Sequence, residues 1–120
     1  MKKILVIEDS PEMRRNLLTI LKLEKFQPLG AENGRAGLEL VKREKPDVIL
    51  CDVMMPSMTG IEFHQRLSRE RPEQAEHIVF LTGGAFTATA RTFLDEVRNA
   101  RVEKPFAVQD LRALVNERVA

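Results

Sequence analysis

The sequence predicts an α/β protein: a doubly wound, five-stranded parallel sheet with helices on both faces. Three observations carry that reading. Short apolar runs alternate with longer stretches whose apolar residues recur at helical spacing, and the pair occurs five times. The apolar runs lack the polar alternation of a half-exposed sheet, so they fit strands buried on both faces. Proline, glycine, serine or asparagine stands at most of the boundaries. Repeated βα units favour a parallel sheet, because right-handed crossovers return each strand parallel to the last.

The elements follow in order. Lys3 to Ile7 is a strand. Ser10-Pro11 supplies an N-cap and a proline at the first helical position, and Met13, Leu17, Ile20, Leu21 and Glu24 follow at helical spacing. Gln27 to Ala31 is a short, weaker strand. Asn33-Gly34 caps a helix carrying Leu38, Leu40 and Val41, which Pro46 ends. Asp47 to Cys51 is the most hydrophobic strand. A loop with Pro56 and Gly60 leads to a helix bearing Ile61, Phe63 and Leu67, closed by Pro72. Ile78 to Leu81 is a buried strand, ending at Thr82 and the pair Gly83-Gly84. Phe86, Ala90, Phe93, Leu94 and Val97 mark the next helix. Ala100 to Glu103 is the last strand, and Val108, Leu111, Val115 and Val119 mark the final helix.

Composition narrows the function classes. With 120 residues the chain fits one domain with a real core, and residues 1–120 are expected to form it without a second domain. Hydrophobic residues are 43% and charged residues 31%, which is a globular balance. A formal net charge of +1 argues against direct nucleic-acid binding. No apolar run is long enough to cross a bilayer, so no membrane partner is expected. "MKKILVIEDS" superficially resembles a signal peptide, but its apolar core is only Ile4 to Ile7 and runs straight into acids. Cys51 is the only cysteine, which rules out an intrachain disulfide and a thiolate metal cluster. A cytoplasmic location is the expectation. Trp and Tyr are both absent, which removes the commonest base-stacking and flavin-flanking residues.

In an open doubly wound sheet, ligands bind beyond the carboxyl ends of the strands, where strand order reverses. Glu8 and Asp9 follow the first strand, Asp52 the third, Thr82 the fourth, and Lys104 with Pro105 the fifth. If the first and third strands are neighbours, Glu8, Asp9 and Asp52 converge and repel one another. A divalent cation relieves that repulsion, and an all-oxygen donor set suits Mg²⁺. Lys104 adds a positive charge and Thr82 a hydroxyl donor. A cation, an ammonium, a hydroxyl and backbone N–H groups around a carboxylate make a site for a transferred phosphoryl group, with Asp52 as candidate nucleophile.

Four pieces, "VIEDS", "DVILCDVMMPSMTG", "VFLTGG" and "VEKPF", in this order and spacing, resemble the receiver domains of two-component response regulators, over essentially the whole chain. The resemblance implies a flavodoxin-like (βα)5 fold with strand order 2-1-3-4-5. It implies a signalling switch that is not an enzyme in the usual sense, phosphorylated on Asp52 by a histidine kinase or a histidine phosphotransfer protein. Asp9 would be a direct Mg²⁺ ligand and Glu8 would act largely through water. Met54 would offer its backbone carbonyl to the metal. Thr82 would sense the phosphoryl group, Lys104 would contact its oxygens, and Pro105 would follow a cis peptide bond. A downstream effector would read the face built by the fourth and fifth βα units.

Other readings are weaker. A haloacid-dehalogenase-like phosphohydrolase needs a second acid two residues after the nucleophile, where Met54 stands. A flavodoxin-like electron carrier needs a hydroxyl-rich phosphate loop where "EDSPEM" is acidic. A pseudo-receiver that only binds a partner lacks an obvious reason to keep the full acid set. Two positions depart from the family pattern: Thr59, where an aspartate is common, and Arg101, where an aromatic is usual. The first half is more similar to receivers of free-standing regulators or transcription factors, the second to those of hybrid histidine kinases. Arg101 is expected at the surface, near Glu103, Asp95 or Glu96. Cys51, Phe86 and Phe93 are expected in the core. His64 and His77 are expected at the surface or its boundary without a ligand role, and the arginines around Glu70 and Glu73 form a solvated helix end.

Overall fold

In a computed structural model, residues 2–53, 59–83, 88–99, 101–104 and 108–119 are described. Five strands run β1 (Lys3–Ile7), β2 (Gln27–Ala31), β3 (Val48–Asp52), β4 (Ile78–Gly83) and β5 (Arg101–Lys104). They alternate with helices α1 (Pro11–Leu23), α2 (Gly34–Glu44), α3 (Gly60–Glu70), α4 (Pro72–Ala75), α5 (Ala88–Glu96) and α6 (Val108–Val119). The sheet is parallel throughout, in the order β2-β1-β3-β4-β5, as expected.

Side chains alternate across the sheet, and each parity builds its own core. Leu5 and Ile7 of β1, Ile49 and Cys51 of β3, and Ile78 and Phe80 of β4 pack against Leu38 and Val41 of α2, Phe63 and Leu67 of α3, and Ala90 and Leu94 of α5. The opposite parity, Ile4, Val6, Val48, Leu50, Val79 and Leu81, packs against Leu17 and Leu21 of α1 and Leu111 and Val115 of α6. Residues 48–52 are all buried, which explains their lack of polar alternation. β2 is an edge strand, where Pro28 and partly exposed backbone are tolerated.

Local chemistry sets the element ends. The Ser10 hydroxyl accepts from the Met13 N–H, with Pro11 at the first helical position. The Asn33 side chain accepts from Ala36 N–H at 2.8 Å. α1 closes on a pair of bonds, Phe26 N–H to Leu21 O and Lys25 N–H to Lys22 O, with Lys25 in the left-handed region at φ 67°.

Several boundaries differ from the sequence reading. β3 starts at Val48, one residue later than expected; Asp47 before it bonds Lys3 twice, its N–H donating to Lys3 O and its carboxylate accepting from Lys3 N–H, each at 2.8 Å. β5 covers Arg101–Lys104, one residue later than expected. β4 extends through Thr82 and Gly83, paired with β5. Pro72 follows the end of α3, as expected, but it also opens the one-turn helix α4. Phe86 lies outside the described residues.

Gly37 sets how closely α2 approaches the sheet. A Cβ there would lie 2.5 Å from Cδ1 and 3.0 Å from Cγ1 of Ile7, which is itself fully buried. Gly37→Ala is therefore expected to destabilise the fold by roughly 1–3 kcal/mol, the usual cost of overpacking. Adding Ile7→Val, which removes Cδ1, is expected to recover part of the loss. Urea unfolding of the two single variants and the double variant measures the coupling. Strictly additive losses would mean that the contact does not set the spacing.

Candidate functional site

The site grows from the β1–β3–β4 register. Ile7 of β1 stands beside Cys51 of β3, and Asp52 beside Leu81 of β4. The residues that follow Ile7 therefore emerge next to Asp52. Glu8 is almost wholly buried, and its N–H donates to Ala31 O of β2 at 3.1 Å. Its carbonyl accepts from Arg14 Nη1 at 2.7 Å. Asp9 is exposed, and the chain turns immediately afterwards into the cap of α1 at Ser10. Asp52 is 8% exposed at the end of β3.

One carboxylate oxygen from each of Glu8, Asp9 and Asp52 lies within 4.8 Å of the others. The structure thus brings together the three acids singled out in the sequence. Their donor chemistry, hard anionic oxygens only, fits a hard divalent cation. Cys51 registers the same local field. Burial first, and then the charges of Asp52 and Glu8, hold its thiol well above the usual range. It is a core thiol, as expected.

The segment after Asp52 returns to it. Gly60 N–H donates to Val53 O at 2.8 Å, and Val53 N–H donates to Leu81 O at 3.2 Å. A Cβ on Gly60 would lie 2.8 Å from both Asp52 O and Val53 Cα. Glycine is the residue that lets α3 begin directly against the backbone of Asp52. Thr59 is the N-cap of α3, accepting from Glu62 N–H at 3.2 Å within a capping box. Threonine and aspartate both serve as N-caps, so Thr59 keeps the local role that an aspartate would have there. Met54 lies outside the described residues.

Thr82 is 4% exposed, and its hydroxyl donates to Val102 O of β5 at a long 3.4 Å. In this state the hydroxyl is engaged with the neighbouring strand. Lys104 ends β5 with its backbone opposite Gly83. The Lys104 side chain and Pro105 lie outside what is described.

A match to the family described as the response regulator receiver domain covers residues 4–116. The chain belongs to that family. Among curated proteins, it is 36% identical over 118 residues to the response regulator receiver protein CpdR of Brucella abortus, covering 98% of this chain and 93% of that protein. It is 30% identical to the phosphate regulon transcriptional regulatory protein PhoB of Escherichia coli, covering 95% of this chain but 50% of that protein. A response regulator receiver domain protein from Clostridium thermocellum superposes with a TM-score of 0.87 at 26% identity, covering 99% of this chain and 94% of that one. Receiver domains are switches of two-component signalling and are not generally classed as enzymes. Family membership displaces the electron-carrier and phosphohydrolase readings. Among the described residues no helix is long and apolar enough to cross a membrane.

Arg101 of this receiver domain is exposed, and its guanidinium lies 3.8 Å from Asp95 Oδ1 of α5. That is the surface position expected from the sequence, with one of the expected acids as partner. Phe93 packs against the core. Arg66 pairs with Glu70, which also takes Lys42 of α2. These contacts hold Glu70 below the usual carboxylate range, the hydrogen bond from Lys42 contributing most. His64 is half-buried as foreseen, but it has partners that the sequence did not reveal, at Asn99 and Ser68.

The Arg101–Asp95 pair is exposed on both sides. Arg101→Ala is expected to change unfolding free energy by less than about 1 kcal/mol, as exposed pairs usually do. A larger loss in urea unfolding would mean that Arg101 holds the fold and does not merely decorate its surface.

Proposed function

We propose that this receiver domain is a phosphorylation-activated switch in which Asp52 accepts a phosphoryl group from a phosphohistidine of a histidine kinase or phosphotransfer protein. The observation that carries the reading is the convergence of Glu8, Asp9 and Asp52 within 4.8 Å at the carboxyl end of the sheet. An Asp52 oxygen attacks phosphorus as the donor's N–P bond breaks. The electron pair returns to the donor imidazole, which then takes up a proton. Cys51 and the rest of β3 hold the attacking carboxylate at the crevice with little freedom.

Asp9 and Glu8 are the residues that would hold Mg²⁺, Asp9 directly and Glu8 largely through water, together with Asp52 and the Met54 carbonyl. When bound, Mg²⁺ supplies positive charge against the carboxylates and the phosphoryl oxygens. Lys104 would supply a further positive charge to those oxygens. Thr82 would donate its hydroxyl to them, giving up the long bond to Val102 O. That exchange would release a contact between β4 and β5 and shift the conformers of the surface that they and their helices form. A downstream effector would read that surface. The alternative, a pseudo-receiver that only binds a partner, would keep the fold but not the chemistry.

With a small phosphodonor and Mg²⁺, mass spectrometry is expected to place the phosphoryl group on Asp52, and Asp52→Asn is expected to abolish the label. Undiminished labelling of the variant, still absent from every neighbouring acid, would overturn the assignment and favour another acceptor. Cation titration is expected to show a larger loss of affinity in Asp9→Asn than in Glu8→Gln. The reverse ranking would exchange the roles of the two acids.

A further inference from the structure

We propose that Arg14 is a positioning residue for the cation site, holding the main chain on both sides of Asp9. Asp9 is exposed, so packing does little to place its carboxylate, and the main chain that carries it matters more. That chain is held at Glu8 and again at Ser10, and Arg14 bonds to each. Its guanidinium donates from Nη1 to Glu8 O at 2.7 Å. Its own N–H donates to Ser10 O at 2.9 Å, closing the first turn of α1.

The second of these bonds comes with any helix that starts at Ser10. The first does not, because it needs a long side chain with a donor at its tip. It is short, half-buried and reaches back six positions, and a charged donor makes it stronger than a neutral one. Glu8 O belongs to the same planar peptide as the Asp9 N–H, so a bond to that oxygen fixes the plane from which Asp9 departs. The peptide before Glu8 is fixed from β2, where Ala31 O accepts the Glu8 N–H at 3.1 Å. β2 also backs the arginine. A Cβ on Gly30 would lie 3.6 Å from Arg14 Cδ, so the stem lies along the strand where no side chain stands. Arg14 thus ties α1 and β2 to the end of β1, one residue before Asp9.

Charge and position make opposite predictions for this residue. A positive charge beside a set of acids repels a cation that approaches them, so removing it would tighten cation binding. A ligand whose main chain has been released must be ordered again when the cation binds, so removing Arg14 would weaken it. Groups that orient metal ligands typically matter by 10–100-fold in affinity, and we expect about 10-fold here because Arg14 acts through the main chain. The inference rests on the proposed function in taking Asp9 as a direct cation ligand. It does not depend on Asp52 accepting a phosphoryl group.

The test is a Mg²⁺ titration of the intact chain followed by amide NMR shifts, with no phosphodonor present. Arg14→Met removes the donor and the charge but keeps an apolar stem beside Gly30. Its Mg²⁺ affinity is expected to fall about 10-fold, in a protein that urea unfolding shows to be fully folded without denaturant. Arg14→Lys keeps the charge and one donor group, and its affinity is expected to lie between the two. In the cation-free protein, amide relaxation is expected to give lower order parameters at Asp9 and Ser10 in Arg14→Met and unchanged ones along β3. Three results would each overturn the proposal and leave the acid site standing. They are wild-type or tighter binding in Arg14→Met, weaker binding in Arg14→Lys than in Arg14→Met, and undiminished order at Asp9. A wild-type Mg²⁺ response that survives in Asp9→Asn would instead remove the site, and the proposal with it. If Arg14→Met does not fold, Arg14→Lys decides, and wild-type or tighter binding counts against a positioning role.

Discussion

The adjacency of β1 and β3 is the constraint on which the rest of the structure depends. Parallel pairing sets Ile7 beside Cys51, and the next residues of each strand are acids. Three carboxylates do not gather unaided, because each gains from separation and hydration. Here the separation is prevented by the strands behind them. Residues 4–7 of β1 and 48–51 of β3 are fully buried, so neither strand can slide without moving an apolar side chain to the wrong face. The core thus holds three carboxylates together at one end of the sheet. Such a set of hard anionic oxygens suits a hard divalent cation.

Much of this was legible because it is repetitive or local. The five apolar runs and the caps at Ser10 and Asn33 each have a short-range signature, and strand order follows once the family motifs are seen in sequence. Glu8, Asp9 and Asp52 were legible together because strand ends are predictable and the fold assembles them. The misreadings were decided by contacts that no local pattern encodes. Asp47 stands just before β3, bonded through its carboxylate to the backbone N–H of Lys3, 44 residues away. α4 escaped because four residues are too few to show a helical period, and its proline was read only as a stop. The His64–Asn99 bond spans 35 positions, and neither residue carries a signal by itself.

The two departures from the family pattern also become physical statements. Thr59 preserves an N-cap in place of the commoner aspartate, accepting from Glu62 N–H. Its hydroxyl is neutral, so the cap of α3 carries one negative charge fewer than an aspartate would give it. Arg101 replaces an aromatic with a long charged chain that rests on the surface against Asp95. Burying its guanidinium unpaired would cost several kcal/mol, so an inward swing of this side chain is closed to it.

β5 is built differently from the strands that carry the acids. It is an edge strand of four residues, whereas β1 and β3 are enclosed on both sides. Among the described residues, β5 joins β4 through its ladder and the long Thr82 bond to Val102 O, Val102 packs against the core on the α1–α6 face, and Arg101 pairs loosely with Asp95. The stronger polar anchor is Asn99, just before the strand begins, with two bonds below 3.0 Å. Local stability in proteins is uneven in this way, and segments that switch come from its low end. The enclosed β1–β3 pair fixes where the three acids gather, and β5 borders the sheet at its far edge, one strand beyond β4.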